Sequence, residues 1–512
     1  MINKREKTYR RVLFYLLMLI GIIVRIWEFG LVPEGINQDE AFAGYEAFSL
    51  LHYGVDSSGY AFPIYFTTWG SGMNALEIYL MIPFISLFGL TTYTIRMPQV
   101  ILASFTLLII FLLSKEIFHS DICFISLFLT AIAPWHIMLS RWGLESNLAP
   151  AFLIFGLYFF VLGIEKPGFF ILSSLFYGLS LYCYATIWLV VPVVLFLQVL
   201  YCLWYKKLHF CKETILSVLI LSVLAIPLLL FLIINHGFLP EITTYFSIPR
   251  LVAMRQGEVS FRNIGNNFRN LCSIIFHQSD NYIINSTDQF GIFYHITLPF
   301  FLLGLFLLIY DIINSCRKKQ YNGGIFIIIN FVAAFFLGLL VQANITKINS
   351  LFLPMIIITS YGLYKVLLRF KKIFIASLII YFILFVLFIN YYFTDYNNEV
   401  KKYYYCGSKE MIEQASSYNR KIYVTKSLPY PVVLFYSKEN VNSYIDTVQY
   451  SNYPSIFLEV DSFTNYSYNI DLDNLDDQAL YLLDDSYDMS FFTDAGYKII
   501  HSDGVFYLAY RQ

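Results

Sequence analysis

Long apolar stretches recur along most of the chain, and polar, aromatic and glycine-rich segments separate them. A helix needs about 20 mainly apolar residues to cross the hydrocarbon core of a bilayer, and most of the stretches approach that length. The pattern therefore predicts a mainly α-helical, polytopic membrane protein. The stretches begin near Val12, Leu76, Arg96, Ile122, Leu148, Gly168, Ile187, Ile215, Ile292, Ile325, Leu351 and Ile373.

The distribution of Lys and Arg decides how many of these stretches cross. Cytoplasmic loops are enriched in both residues, so the basic segment 4–11 predicts a cytoplasmic N-terminus. If residues 76–90 do not cross, all the later basic clusters also face the cytoplasm. That stretch is short and contains a proline and a glycine. We therefore predict eleven transmembrane helices and a juxtamembrane helix in the first outer loop. The later clusters are 206–207, 317–319 and 369–372.

Composition changes sharply near residue 395. Residues 395–512 carry 17 acidic and 9 basic side chains, a net charge of −8, whereas the rest carries +7. We predict a transmembrane domain over 1–394, with outer loops 28–95 and 236–290, and a small extracytoplasmic α/β domain over 395–512. The elements expected in this C-terminal domain are a helix at 408–417 and strands at 421–425, 479–483 and 505–509.

Composition also narrows the function. Hydrophobic residues make up 58% of the chain and charged residues 13%, about half the usual charged share of a soluble protein. Separate basic and acidic regions argue against nucleic-acid binding and for two environments. The seven cysteines have no CxxC pair and no metal-ligand spacing. The expected setting is the plasma membrane, with membrane lipid as a neighbour.

The first predicted outer loop begins with a pair of acidic residues. Asp39 and Glu40 follow Asn37 and Gln38, and apolar residues from Ala41 onward recur at helical spacing. One interpretation is a helix cap, in which Asp39 accepts backbone amides and Glu40 favours the helix dipole. The other is catalytic, because a carboxylate near the bilayer surface can take the proton of a bound hydroxyl. The residues alone leave both interpretations open.

Other charged residues fall on the same predicted face. Arg96 begins a span, Arg141 and Glu145 follow the end of another, and His277 and Lys347 lie in later outer segments. Each has an ordinary explanation as an interfacial, paired or solvated side chain. Together they also suit a phosphate-bearing lipid donor, because cations stabilise a leaving group that departs as an anion.

Three arginines of the loop 236–290 recur at intervals of seven. If Arg255, Arg262 and Arg269 lie on one helix, they share a face and suit contact with anionic headgroups. A merely solvated face explains the pattern equally well.

The acidic pair is the first of several short motifs within residues 10–370. They are Asn37-Gln38-Asp39-Glu40-Ala41, Gly54-Val55-Asp56, Pro63-Ile64-Tyr65, Phe88-Gly89, Arg96-Met97-Pro98, Pro134-Trp135-His136, Ser140-Arg141, Phe276-His277, Gly291-Ile292-Phe293-Tyr294 and 344–354. Their order resembles the C-type (GT-C) glycosyltransferases of the protein O-mannosyltransferase and aminoarabinose-transferase kind. Members of that family transfer sugars from polyprenyl phosphate.

The resemblance implies a role for each candidate residue. It makes Asp39 the catalytic base of an inverting displacement, with Glu40 shaping the site. No metal is implied, although a divalent cation near Asp39, Glu145 and His277 stays open as an alternative. The contacts it implies to the donor phosphate or sugar are Arg96, Arg141, Glu145, His277 and Lys347.

The chain departs from the family in two places. Its C-terminal domain does not resemble the sugar-binding module of eukaryotic O-mannosyltransferases. Thr68-Trp69-Gly70-Ser71 occupies the place where the aminoarabinose enzymes carry a lysine before two prolines. These departures leave the sugar open, and the acceptor can be a glycan, a lipid or a protein. The Ile-, Asn-, Lys- and Tyr-rich composition is typical of a low-GC bacterium, in which the carrier is undecaprenyl phosphate.

Two other functions fit an outward-facing membrane protein. A lipid-linked glycan flippase or transporter predicts charges at mid-membrane and internal repeats, and the sequence contains few such charges and no evident repeat. A polysaccharide polymerase instead predicts catalytic residues in the later loops, here 236–290, rather than after the first span.

Overall fold

The computed structural model describes residues 4–208, 210–255, 258–502 and 504–511. Helices dominate as far as residue 391, and a mixed sheet with short helices follows. The helices of the first part are α1 (Lys4–Ile26), α2 (Gln38–Tyr53), α3 (Leu76–Phe88), α4 (Thr92–Phe118), α5 (Ile122–Ile132), α6 (Pro134–Leu139), α7 (Ala149–Glu165), α8 (Phe169–Ser180), α9 (Ile187–Trp204), α10 (Lys212–Asn235), α11 (Ile264–His277), α12 (Thr297–Arg317), α13 (Ile325–Leu340), α14 (Phe352–Arg369) and α15 (Lys371–Tyr391).

The apolar helices form a bundle with a buried centre and an apolar outer surface. Helices α7 and α14 are largely buried, whereas α10 and α15 expose rows of Leu, Ile, Val and Phe side chains. A soluble protein seldom exposes apolar surface on this scale, so the outer surface suits lipid. Within the described ranges, seven helices are long and apolar enough to cross a membrane. The prediction of a polytopic helical protein is confirmed, whereas the count of eleven spans and the orientation of the termini stay predictions.

Helix α3 corresponds to the stretch predicted not to cross. It has 13 residues, and at 1.5 Å per residue it is about 20 Å long, less than the ~30 Å hydrocarbon core. The backbone N–H of Leu76 at its start donates to the carbonyl of Tyr182, 3.0 Å away, at the end of α8. This short helix packs against α2 and α4 beside the first loop.

Close helix approach inside the bundle depends on glycine. Gly304 in α12 and Gly362 in α14 face each other, and a Cβ at either position would collide with a backbone carbonyl of the other helix. Small residues at such crossings allow transmembrane helices to approach within van der Waals contact.

The strands of the C-terminal domain are β5 (Ile422–Val424), β6 (Gln449–Tyr450), β7 (Val460–Phe463), β8 (Tyr466–Ser467), β9 (Leu480–Asp484), β10 (Lys498–His501) and β11 (Phe506–Tyr510). They form a seven-stranded mixed sheet in the order β10-β11-β9-β5-β8-β7-β6. Strand β5 runs parallel to β8 and β9, and the other pairs are antiparallel. The predicted helix and the three predicted strands are confirmed within one or two residues. The short helices of this part are α16 (Asn397–Glu399), α17 (Ser408–Ser416), α18 (Tyr430–Ser437), α19 (Val441–Thr447) and α20 (Met489–Asp494).

The C-terminal domain shares a hydrophobic core with the first loop. Helix α18 packs on α2, where Gly44 leaves room for the ring of Phe435, and the Tyr45 hydroxyl donates to the Glu439 carbonyl over 2.9 Å. Apolar residues of α2, α3, α17, α18 and β9 belong to one buried cluster. The loops also contain two-stranded ribbons, β1 (Tyr65–Phe66) with β2 (Met73–Asn74) and β3 (Ile242–Thr243) with β4 (Ser247–Ile248).

Candidate active site

The N-terminus of α2 is capped by Asn37. Its side-chain oxygen accepts the backbone N–H of Asp39 over 3.0 Å, and its own N–H donates to Glu40 Oε1 over 3.0 Å. This reciprocal arrangement is a capping box, which satisfies two of the otherwise unpaired amides of a helix start. The Asp39 carboxylate is therefore not the cap, and it remains free to act on a ligand.

Asp39 is half-buried, and its carboxyl lies near the indole of Trp69. Burial raises the pKa of the Asp39 carboxyl above its usual range, and the nearby charge of Glu40 adds to the rise. The indole N–H of Trp69 and the positive charge of Arg255 act in the opposite direction. A carboxylate with a raised pKa binds a proton more strongly, which is the property required of a general base.

Trp69 occupies a strained turn that two other segments stabilise. Its φ is +57°, a left-handed conformation that is unfavourable for a bulky residue. The Trp69 carbonyl accepts the N–H of Leu458 over 2.7 Å, and the carbonyl of Gly70 accepts the N–H of Ala253 over 3.0 Å. The C-terminal domain and the loop 236–290 thus both fix the turn that positions the indole on Asp39.

Glu40 and Arg96 form a fully buried ion pair behind this turn. Arg96 Nε and Nη2 donate to the two oxygens of Glu40 over 3.1 and 2.5 Å, and Gly143 N donates to Glu40 Oε2 over 2.8 Å. The remaining Arg96 donors reach the carbonyls of Pro33 and Gly35, both over 2.8 Å. The structure therefore places Arg96 within the protein interior and not on the accessible face of Asp39.

Arg141 is buried in a similar way, at the end of α1. Its guanidinium donates to the carbonyls of Val24, Arg25, Glu28 and Val32 over 2.9–3.2 Å. These bonds satisfy carbonyl groups that the end of a helix leaves unpaired.

Glu145, in contrast, lies close to Asp39. It is half-buried at the start of a 3₁₀ turn before α7, and its carboxylate accepts the backbone N–H of Asn74 at the end of β2. The charges of Asp39, Glu145 and Arg255 are near enough to influence one another. The structure thus brings together Asp39 and Glu145, which are 106 positions apart in the sequence.

Two cations beside these acids share one carboxylate. Arg255 Nη1 lies 3.6 Å from Glu258 Oε1, and Lys347 Nζ lies 3.8 Å from the same oxygen. Arg255 also donates from Nε to Ser71 Oγ over 2.8 Å, and its guanidinium lies 4.8 Å from the ring centroid of Phe457. All three charged side chains remain partly exposed, so a ligand anion can reach them.

The three arginines do not lie on one helix, so they do not form a shared face. Arg255 lies in irregular backbone, Arg262 in a 3₁₀ turn, and only Arg269 belongs to α11. The side chains of Arg262 and Arg269 are exposed, whereas Arg255 reaches the site. His277 ends α11 with an exposed side chain, and no described contact joins it to Asp39 or Glu145.

Several tyrosines near Asp39 and Glu145 were not expected from the sequence. Burial raises the pKa of all four tyrosine hydroxyls. The charge of Glu145 adds to this rise at Tyr65 and Tyr184, and the charge of Asp39 adds to it at Tyr282 and Tyr405. They come from four separate segments, and only the aromatic content of the outer loops gave a general signal. In the described parts of the chain, no group of three or more His, Cys, Asp or Glu side chains is arranged to hold a metal ion.

A helical bundle followed by a C-terminal sheet domain is an architecture with known counterparts. A model of the family described as dolichyl-phosphate-mannose-protein mannosyltransferase matches residues 76–234. No curated protein sequence matches the chain.

Solved structures match over a longer range. ArnT from Cupriavidus metallidurans, without ligand and bound to undecaprenyl phosphate, aligns with a TM-score of 0.60 over 98% of both chains, at 10% and 11% identity respectively. The Archaeoglobus fulgidus oligosaccharyltransferase, in complex with Zn and sulfate, aligns with a TM-score of 0.52 and 13% identity over 80% of this chain and 55% of its own. The predicted resemblance to C-type glycosyltransferases is confirmed, and the protein has their fold.

Proposed function

We propose that the protein is a membrane glycosyltransferase that moves a monosaccharide from a polyprenyl-phosphate carrier to a hydroxyl acceptor at the outer face of the plasma membrane. The observation that carries the proposal is the half-buried Asp39 carboxylate, which is not used as the helix cap and lies near Arg255. The match to a mannosyltransferase family and the fold shared with ArnT, which binds undecaprenyl phosphate, support a lipid-phosphate donor.

In the proposed reaction Asp39 accepts the proton of the acceptor hydroxyl. The hydroxyl oxygen forms a bond to the anomeric carbon as the bond from that carbon to the phosphate oxygen breaks. A single displacement of this kind inverts the anomeric centre, and polyprenyl phosphate leaves with the bonding electrons. The raised pKa of Asp39 supports its role as the base, because the proton is held more firmly once transferred.

Arg255 and Lys347 are the proposed partners of the departing phosphate. Both lie within ion-pair distance of Glu258, a carboxylate with a largely exposed side chain. A donor phosphate that displaces Glu258 meets two cations at once, and such charges stabilise a developing anion more than they stabilise the bound substrate. Glu145 is then available to accept hydrogen bonds from hydroxyl groups of the transferred sugar.

The other candidate residues take different roles in this proposal. Arg96 and Glu40 position the start of α2, because their ion pair ties the segment before Asp39 to α4. Arg141 holds the end of α1 beside the same segment. His277 is exposed on α11 and has no assigned step. The proposed chemistry requires no metal ion.

The test is sugar transfer from radiolabelled undecaprenyl-phosphate monosaccharides by the purified protein in liposomes, with cell-envelope extract as the source of acceptor. Asp39→Asn should lower the rate by about 10²–10⁴, the usual contribution of a general base. Asp446→Asn, a substitution of an exposed carboxyl in the C-terminal domain, is the matched control and should leave the rate unchanged. Full activity of Asp39→Asn would refute the assignment of the base.

The same assay separates the alternatives. Transfer that survives Asp39→Asn but is lost on substitutions within 236–290 would favour a polymerase. If wild-type protein releases sugar from no donor, with or without extract, the proposal fails and transport becomes the better interpretation.

A further inference from the structure

A cavity of about 310 Å³ lies between the first outer loop and the C-terminal domain. The loop contributes Gln38, which directly precedes Asp39 in the sequence, and Trp69, whose indole lies near the Asp39 carboxyl. The remaining walls come from the C-terminal domain, chiefly from the segments 426–430 and 458–461. Its volume is at the lower end of the ~300–1,000 Å³ of small-molecule sites, and it lies beside the proposed base.

The walls of this cavity combine aromatic rings with hydrogen-bonding groups. Trp69 and Tyr430 meet at an angle of 69° with ring centroids 5.2 Å apart, which makes an apolar corner. Ser451, Glu459 and Asp461 add a hydroxyl group and two carboxyl groups to the same walls.

The charges of the cavity indicate what kind of ligand fits. Glu459 and Asp461 contribute two carboxylates and Lys426 one ammonium group, so the formal balance is acidic. Carboxylates accept hydrogen bonds from hydroxyl groups but repel phosphates and acids. Arg255 and Lys347 are not among the residues that line the cavity. The cavity is therefore better suited to an uncharged polyhydroxylated ligand than to an anionic one.

We propose that this cavity binds an uncharged saccharide, the acceptor end of a glycan, between Trp69 and the C-terminal domain. The proposal rests on the proposed function for the fate of that saccharide, and it assigns the C-terminal domain a part in acceptor recognition. In this arrangement the sugar ring packs against the Trp69–Tyr430 corner. Its hydroxyl groups donate to Glu459 and Asp461.

Binding can be measured without knowing the natural acceptor. Full-length protein in detergent is titrated with cellobiose, maltose, lactose and diacetylchitobiose, and tryptophan fluorescence and saturation-transfer NMR report binding. At least one of these neutral disaccharides should bind. Glu459→Gln and Asp461→Asn should each weaken its Kd by about 3–10-fold, the worth of one hydrogen bond. Asp473→Asn, which changes an exposed carboxyl outside the cavity, is the matched control and should not alter the Kd.

The outcomes are distinct. The absence of binding by every disaccharide, or binding that neither cavity variant weakens, would overturn the proposal. Tighter binding of a uronic-acid disaccharide than of its neutral counterpart would also overturn it, as would Ser- or Thr-containing peptides that bind in place of sugars and are weakened by both variants. Sugar release from undecaprenyl-phosphate donors by wild-type protein is measured separately. Its failure would contradict the proposed function, but it would not affect the saccharide binding result.

Discussion

Replacing Arg96 with Met should destabilise the protein strongly, because it leaves the buried Glu40 carboxylate without its counter-charge. Arg96 and Glu40 are both fully buried, and two of the hydrogen bonds to Glu40 come from Arg96. Removal of one partner of a buried ion pair typically costs about 3–5 kcal/mol. The two carbonyls at Pro33 and Gly35 also lose donors. We therefore expect Arg96→Met to lower the free energy of unfolding by an amount in this range.

The assay is thermal unfolding of purified protein in detergent, followed by intrinsic fluorescence. At about 2–4 °C per kcal/mol for a cooperative unit of 150–250 residues, the loss lowers the midpoint by roughly 6 °C or more. Arg96→Met/Glu40→Gln should recover part of that loss, because no uncompensated charge then remains buried. Arg269→Met removes an exposed arginine and should leave the midpoint unchanged.

A different pattern would refute this reasoning. If Arg96 contacts the donor phosphate directly, Arg96→Met should keep the wild-type unfolding midpoint and weaken the binding of undecaprenyl phosphate. The double variant should then be no more stable than the single one. That result would restore the role that family resemblance implies for Arg96 and would mean that its burial is not maintained in solution.

Two further predictions concern the surroundings of Asp39. Trp69→Phe removes the indole N–H, so the pKa of Asp39 should rise further. Because Asp39 acts as a base only when it is deprotonated, the acid limb of the pH–rate profile of sugar transfer should then move to higher pH. An unmoved limb would contradict the influence of Trp69 on Asp39. Phe457→Ala removes the ring beside Arg255, worth about 0.5–1 kcal/mol at an exposed site, and should weaken donor binding about 2–5-fold in a titration with undecaprenyl phosphate. An unchanged Kd would exclude that contribution.

Much of the fold follows from local sequence pattern. The helix after Asn37 begins where polar residues give way to helical spacing, and the structure starts α2 at Gln38. In the C-terminal domain, the predicted strands 421–425, 479–483 and 505–509 overlap β5, β9 and β11. These signals are local because apolar periodicity reports which face of an element is buried. The sequence did not reveal the capping role of Asn37, although Glu40 three residues later is the usual capping-box partner.

The surroundings of Asp39 could not be predicted in the same way. The spacing of Arg255 fits a helical series, but its partners Ser71 and Phe457 are each about 200 residues away along the chain. No local pattern records such contacts. The turn at Trp69 had a partial sequence signal, the glycines at positions 70 and 72. Glycine adopts the positive φ that a tight turn requires, and both glycines do so in the structure.

The contacts of the C-terminal domain make it part of the candidate site. Leu458 donates to the turn that carries Trp69, and Phe457 lies beside Arg255, so the segment 457–458 touches a neighbour of Asp39 on each side. The membrane bundle alone therefore does not fix the geometry around Asp39. The net charges agree with this division, because the basic part of the chain supplies Arg255 and Lys347 and the acidic part supplies the cavity carboxylates. In the two proposals, the anionic donor is therefore bound by cations of the basic part and the neutral acceptor by carboxylates of the acidic part.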